Sequence, residues 1–373
     1  MRQNEDPALL PPRILGSPGP AYGDQQRRWQ GIPGLERAAN GRLWAVWYSG
    51  GDGEGPDNYV VLVTSSDDGR TWSQPRLVID PPGAVRAYDP ALWHDPEGRL
   101  WLFWAQSCGW WDGRAGVWAI TTVESAAGDP SWSAPRRLCD GIMMNKPTVL
   151  SSGLWVLPAA IWERAAGGAG SDPRHAHDLG ELRGGNLVSS ADRGETWELL
   201  GQTRVPERVF DEHMLVQRAD GTLWALVRTK YGIGESVSHD GGRTWSPGRP
   251  SKLRNANSRF HVRRLRSGRL LLVHHDPPGI RQEPPGRSHL TAHLSEDDGG
   301  SWHGGLLIDE RDGVSYPDGV ESPEGVIYLI YDFSRHGAKE ILLAAFSEQD
   351  VAAGRAVSGE ARLRVLVSKA GPR

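Results

Sequence analysis

The sequence predicts an all-β chain folded as a six-bladed propeller of four-stranded antiparallel blades. Three observations predict it: a turn motif that recurs along the chain, an apolar strand ahead of each copy, and a composition of 17 Trp and 47 Gly among 373 residues. Trp and Gly in that proportion suit short strands and tight turns better than long helices.

The pattern Ser-x-Asp-x-Gly-x-Thr/Ser-Trp occurs four times, at Ser65 to Trp72, Ser190 to Trp197, Ser238 to Trp245 and Ser295 to Trp302. A decayed fifth copy runs from Ser125 through Asp129 to Trp132. Each residue type suits a β-hairpin turn. Asp caps free backbone N–H groups, Gly takes the positive-φ position, and Trp folds back over the turn. The aspartates of these Asp boxes are therefore structural.

Ahead of each turn stands a Gly-led apolar strand: Gly41 to Trp47, Gly98 to Trp104, Gly153 to Leu157, Gly221 to Val227, Gly268 to Val273 and Gly325 to Tyr331. Six such strands, spaced by roughly 45 to 65 residues, match one four-stranded blade each. A single propeller domain follows, with blades near 30–80, 87–139, 142–202, 208–253, 257–310 and 314–371. The strand-like piece Pro12 to Leu15 is expected to complete the last blade and close the ring. Helix should be scarce, and the insertion Glu163 to Arg183 is expected as a loop over one face.

Bulk properties exclude several function classes. A formal net charge of −4 gives no whole-molecule reason for nucleic acid or an anionic membrane as partner. Cys108 and Cys139 form no disulfide framework or metal-ligand set and are expected as reduced, packed thiols. His175-Ala176-His177-Asp178 lacks tetrahedral spacing with other ligands, and no nucleotide or flavin motif is present, so no metal and no cofactor is expected. Met1 to Pro18 carries no basic region followed by an apolar core, and a cytoplasmic location is the corresponding expectation.

Ligands of a propeller bind at one mouth of its central channel, beside the first strand of each blade. Those strand starts read Ile32-Pro33, Asp89-Pro90, Asn145-Lys146-Pro147, Asp211-Glu212-His213, Arg259-Phe260-His261 and Tyr316-Pro317-Asp318. So many ionisable groups around one channel call for a ligand or mutual pairing. A polar site at the axis is expected, with Asp318 among its residues.

Here the sequence resembles the sialidase (neuraminidase) superfamily. Glu212 is followed after 15 residues by Arg228 and then by the box at Ser238; Arg287-Ser288-His289-Leu290 precedes the box at Ser295; Ser315-Tyr316-Pro317-Asp318 leads to the strand ending Tyr331-Asp332. The resemblance implies a retaining glycosidase with Tyr316 as nucleophile and Glu212 as its base. It also implies that Arg228 and Arg287 clamp a substrate carboxylate through charge-assisted hydrogen bonds. A neutral Tyr suits an anomeric carbon bearing a carboxylate, which would repel an Asp or Glu nucleophile.

Two departures bear on substrate. The family enters its first blade with Arg-Ile-Pro, whereas this chain has Gly31-Ile32-Pro33, so one arginine of the triad is missing. Arg27, Arg28 and Lys146 are candidates to replace it. The family's acid/base Asp in the first-blade loop has Glu54 and Asp57 as candidates here, with Asp52 close. Asp89, His213 and His261 add polar groups to which the resemblance gives no role, a histidine being suited to proton transfer near neutrality.

The expected function is an exo-acting hydrolase of an acidic sugar glycoside, its partner an anionic carbohydrate. A propeller lyase using Lys146 or an arginine with His213, His261 or Tyr316 is one alternative, and a non-catalytic carbohydrate-binding propeller another. Trp110 and Trp111 are candidates to stack on a sugar ring.

Overall fold

Each Asp box folds as its residue types dictate. In the computed structural model, which describes residues 6–162, 177–279 and 284–371, Asp67 accepts from Thr71 N at 2.9 Å and Thr71 Oγ1 at 2.6 Å. Ser65 Oγ accepts from Gly69 N at 3.0 Å, Gly69 takes φ 78°, and Trp72 Nε1 donates to Gly69 O at 3.1 Å. Asp192, Asp240 and Asp297 repeat the pattern. In the decayed copy Glu124 takes over the capping, accepting from Ser131 N at 2.8 Å. The last blade has a six-residue helix instead, α1 (Glu348–Ala353), capped by Ser347 and Asp350.

These turns join the third and fourth strands of antiparallel sheets, and six such sheets make the propeller. The innermost strands are β2 (Gln30–Arg37), β6 (Val85–His94), β10 (Thr148–Val149), β14 (Met214–Gln217), β18 (His261–Arg264) and β22 (Val314–Glu321). The Gly-led apolar segments form the second strands: β3 (Leu43–Ser49), β7 (Leu100–Cys108), β11 (Trp155–Ile161), β15 (Leu223–Thr229), β19 (Leu270–His275) and β23 (Val326–Phe333). Indoles pack between blades; Trp93 and Trp155 meet edge-on with centroids 5.0 Å apart. No helix among the described residues is long and apolar enough to cross a membrane.

The N-terminal strand corrects one expectation. β1 (Arg13–Gly16) does not complete the last blade; it pairs with β5 (Leu77–Asp80) as a fifth, outermost strand of the first blade, Ile14 opposite Ile79. The last blade already has four strands of its own, ending in β25 (Arg362–Lys369), whereas β5 offers an open edge. The ring closes through side chains. Asp332 Oδ2 accepts from Ile32 N at 2.8 Å, Asp318 Oδ2 from Leu35 N at 2.8 Å, and Arg27 Nη2 donates to Ser368 Oγ at 2.7 Å.

Three innermost strands share a distortion at their starts. Ile32, Asp89 and Tyr316 have φ of 56°, 46° and 55°, each precedes a proline, and the register with the neighbouring strand shifts there. Glu212, just ahead of β14, has φ 43°. Left-handed backbone at non-glycine residues, above all a β-branched Ile, persists only where the surroundings enforce it. Such bulges re-aim side chains, and here they cluster at one mouth of the channel.

Candidate active site

The bulge at Tyr316 buries its side chain against groups from the fourth blade. Its hydroxyl lies 3.2 Å from Glu212 Oε1 and 3.1 Å from Arg228 Nη1. Arg228 Nη1 also donates to Glu212 Oε1 at 2.5 Å, while its Nε donates to Asn257 Oδ1 at 2.7 Å. Asn145 Nδ2 fixes the backbone behind them, donating to the carbonyls of Glu212 at 2.8 Å and His213 at 3.0 Å. The second carboxylate oxygen of Glu212 is buried with no partner among the described residues.

Two more guanidinium groups flank the phenol. Arg287 and Arg335 place their central carbons 5.4 Å and 4.9 Å from the centre of the Tyr316 ring. Burial pushes the Tyr316 phenol above its ordinary value and Glu212 adds to the rise, with Arg228, Arg287 and Arg335 opposing. The phenol is therefore protonated at rest, and using its oxygen as a nucleophile requires a base. Glu212 is within reach.

A pair of carboxyl groups lies on the side of the first two blades. Glu54 accepts from Arg335 Nη1 at 2.9 Å. Asp89 is buried, which pushes its carboxyl up to about 8, and the nearby Glu54 adds to the rise. At neutral pH Asp89 is thus held as the acid. Asp57, exposed like Glu54, makes no side-chain hydrogen bond or ion pair among the described residues.

The position of Gly31 is occupied from across the ring. A Cβ on Gly31 would lie 2.3 Å from Arg335 Cδ and 3.1 Å from Asp332 Oδ2. Asp332 is buried and pinned by Ser315 Oγ at 2.7 Å and Ile32 N at 2.8 Å, and Arg335 Nε stands 3.9 Å from it. Arg335, Asp332 and Asn257 are site residues that sequence reasoning missed. The one available signal was Gly31 itself, which marks a gap without naming what fills it.

Several expected residues are not at this mouth. Lys146 Nζ donates to Leu35 O and to Leu92 O at 2.7 Å, and lies 3.3 Å from both Glu36 Oε2 and Asp318 Oδ2. Its donors are engaged in a buried network, so it does not stand in for the missing arginine. His261 Nδ1 sits 3.6 Å from Asp318 Oδ1 in the same network. His213 turns away to Asn186 O, 2.8 Å from its Nε2. Burial lowers His213 to about 4 and His261 to about 3, so both stay neutral near pH 7. Arg27 ties the N-terminal segment to Gln30 and Ser368, and Arg28 pairs with Asp52 in solvent. Trp111 is buried against Trp162 and offers no free stacking face, whereas Trp110 is half-buried against the core. His177 pairs with Asp6 at 3.0 Å; His175 and Ala176 lie outside the described residues.

Between the Tyr316 mouth and the Lys146 network stands Arg259, 0% exposed. It donates to Pro317 O at 2.8 Å, Met144 O at 3.1 Å and Pro33 O at 3.2 Å, carbonyls from three other blades. Below it, a cavity of about 570 Å³ lined by Trp93, Lys146, His261 and Asp318 opens at the opposite mouth. That cavity is lined by neither the phenol nor its base, so it is separate from the Tyr316 constellation.

Residues 38–329 match the family described as BNR repeat-like domain. The chain belongs to that family. Solved structures agree on the fold. A Hadza microbial sialidase is similar with a TM-score of 0.67 at 19% identity, covering 88% of this chain and 67% of that one. The intramolecular trans-sialidase of Ruminococcus gnavus gives 0.66 at 15% identity, covering 91% and 98%. A Dyadobacter fermentans protein of unknown function gives 0.63 at 18%, covering 90% and 97%. No curated protein sequence matches the chain.

Proposed function

We propose that this BNR propeller is a retaining glycoside hydrolase acting on the terminal residue of a carboxylate-bearing sugar. The observation that carries the reading is the Tyr316 hydroxyl held between Glu212 and Arg228, with Arg287 and Arg335 beside the ring. The Tyr316 oxygen attacks the anomeric carbon while its proton passes to Glu212, and the bond to the departing sugar or alcohol breaks. That oxygen takes a proton from the Glu54 and Asp89 side, where Asp89 is already protonated. Water, or a hydroxyl of the same sugar, then displaces tyrosine, giving its proton to the carboxylate left on the Glu54 and Asp89 side while Glu212 returns the first proton to the tyrosine oxygen. Three guanidinium groups supply charge-assisted bonds to an anionic substrate.

Hydrolysis is preferred to elimination because the Tyr316 oxygen has Glu212 at hand as its base, while Lys146 and His261 lie in the network below Arg259 and His213 faces Asn186, which leaves a lyase only Tyr316 and the arginines. The structural neighbours include sialidases and intramolecular trans-sialidases, and one, from Trypanosoma rangeli, is solved with the inhibitor DANA. The test is aryl release from an aryl α-sialoside and a panel of aryl uronides, with ultraviolet absorbance followed alongside. The expected outcome is aryl release that Tyr316→Phe abolishes, with the product, free acid or internal anhydride, identified by mass. Release that survives Tyr316→Phe, or appearance of an unsaturated product, refutes the assignment.

A further inference from the structure

We propose that Arg335, on the turn after β23, supplies the third carboxylate-binding guanidinium that Gly31 cannot, so that the cation has moved from the first blade to the last. The chemistry of the ligand rests on the glycosidase reading above; the replacement itself rests on geometry.

Gly31 has no positive φ, so its backbone does not ask for glycine. What asks for glycine is the neighbour: a Cβ there would lie 2.3 Å from Arg335 Cδ and 3.0 Å from Arg335 Cγ, far inside van der Waals contact. The stem of Arg335 runs through the volume that any side chain at position 31 needs. An arginine at 31 and an arginine at 335 are thus alternative ways to fill one space, and this chain has the second.

Asp332, with both oxygens already fixed by Ser315 and Ile32, anchors a carboxyl group beside the base of the Arg335 guanidinium; burial pushes that carboxyl up, and Arg335 is the largest opposing influence. The ring of Trp29 lies 5.8 Å from that guanidinium and Glu54 takes one of its N–H groups, leaving Tyr316 flanked by Arg228, Arg287 and Arg335. The other cations available by sequence are spoken for: Lys146 by the lower network, Arg27 by Ser368, Arg28 by Asp52.

The test has two arms. The first needs no ligand: the Tm of wild type, Gly31→Ala, Arg335→Ala and the double variant. Gly31→Ala lowers Tm in the wild type and costs little once Arg335 is removed; an equal cost in both backgrounds overturns the proposal. The second measures DANA binding by calorimetry for wild type, Arg335→Ala, Arg335→Lys and Gly31→Arg/Arg335→Ala. Loss of one charged hydrogen-bond donor weakens DANA by about 10- to 150-fold in Arg335→Ala. The relocated arginine restores most of it, and the lysine only part. Unchanged affinity in Arg335→Ala overturns the role. If the wild type binds neither DANA nor any acidic sugar of the panel, the glycosidase reading falls, and the Tm cycle still decides whether Arg335 stands in the place of Gly31.

Discussion

Replacing Asp89 by Asn removes a carboxyl group that the fold holds in its acid form, and the consequence is a change in how stability depends on pH. Asp89 is buried and titrates at about 8, against an ordinary 3.8. Between those values the folded protein binds a proton that the unfolded chain has released, so wild-type stability falls as pH rises, by about 1.4 kcal/mol per pH unit. By pH 7 the cost is about 4 kcal/mol, roughly three units of displacement at that slope. Above the folded value the loss levels off. Asparagine has no such dependence. Urea unfolding of both proteins from about pH 5 to about pH 8 therefore shows the stability difference drifting in favour of Asp89→Asn by about 4 kcal/mol. Any constant offset between the two side chains drops out, because only the slope is compared. A difference that stays level across the window refutes the claim that Asp89 is protonated near neutrality, and with it the proton-donor role.

Other perturbations separate the two layers of the channel. Lys146→Met leaves Glu36 and Asp318 buried without their cation and lowers stability by about 3–5 kcal/mol, while KM for a cleaved sugar stays unchanged in the protein that still folds; a raised KM would return Lys146 to the binding site. Arg228→Lys keeps the charge but loses the fork that joins Glu212, Tyr316 and Asn257, and turnover falls by about 10-fold or more, measured on the same aryl glycoside. Asp240→Ala removes the acceptor for Thr244 N and Thr244 Oγ1 in an Asp box. Its Tm drops with KM unaffected, and the opposite pattern would assign the boxes a part in binding.

The propeller was legible because its signals are local and repeated. An Asp box needs only eight consecutive residues to form its bonds, so Ser65 to Trp72 predicts its own turn. The placement of β1 was not legible, since Pro12 to Leu15 pairs with whichever edge is left open, and that depends on the last blade being complete without it. Within the site, Tyr316, Glu212, Arg228 and Arg287 could be found in chain order. Glu54 and Asp57 could not be told apart, because two carboxylates in one Gly-rich loop differ only in where the folded loop aims them. Lys146 and His261 were placed at the mouth by a rule about strand starts, yet each residue along a strand shifts depth by about 3.3 Å and reverses its face. Arg335 carried no motif at all. Its meaning comes from lying against Gly31, at the other end of the chain.

The guanidinium of Arg259 has a consequence for kinetics. Since it is sealed from solvent and joined to carbonyls of three other blades, the axis of the ring is a dead end rather than a passage. Whatever enters beside Tyr316 leaves by the same opening. On the proposed glycosidase reading, a polymer is not threaded and processed along its length, and only a chain end enters. The released sugar and the next substrate would then take turns at that opening, which predicts product inhibition competitive with substrate in initial-rate assays.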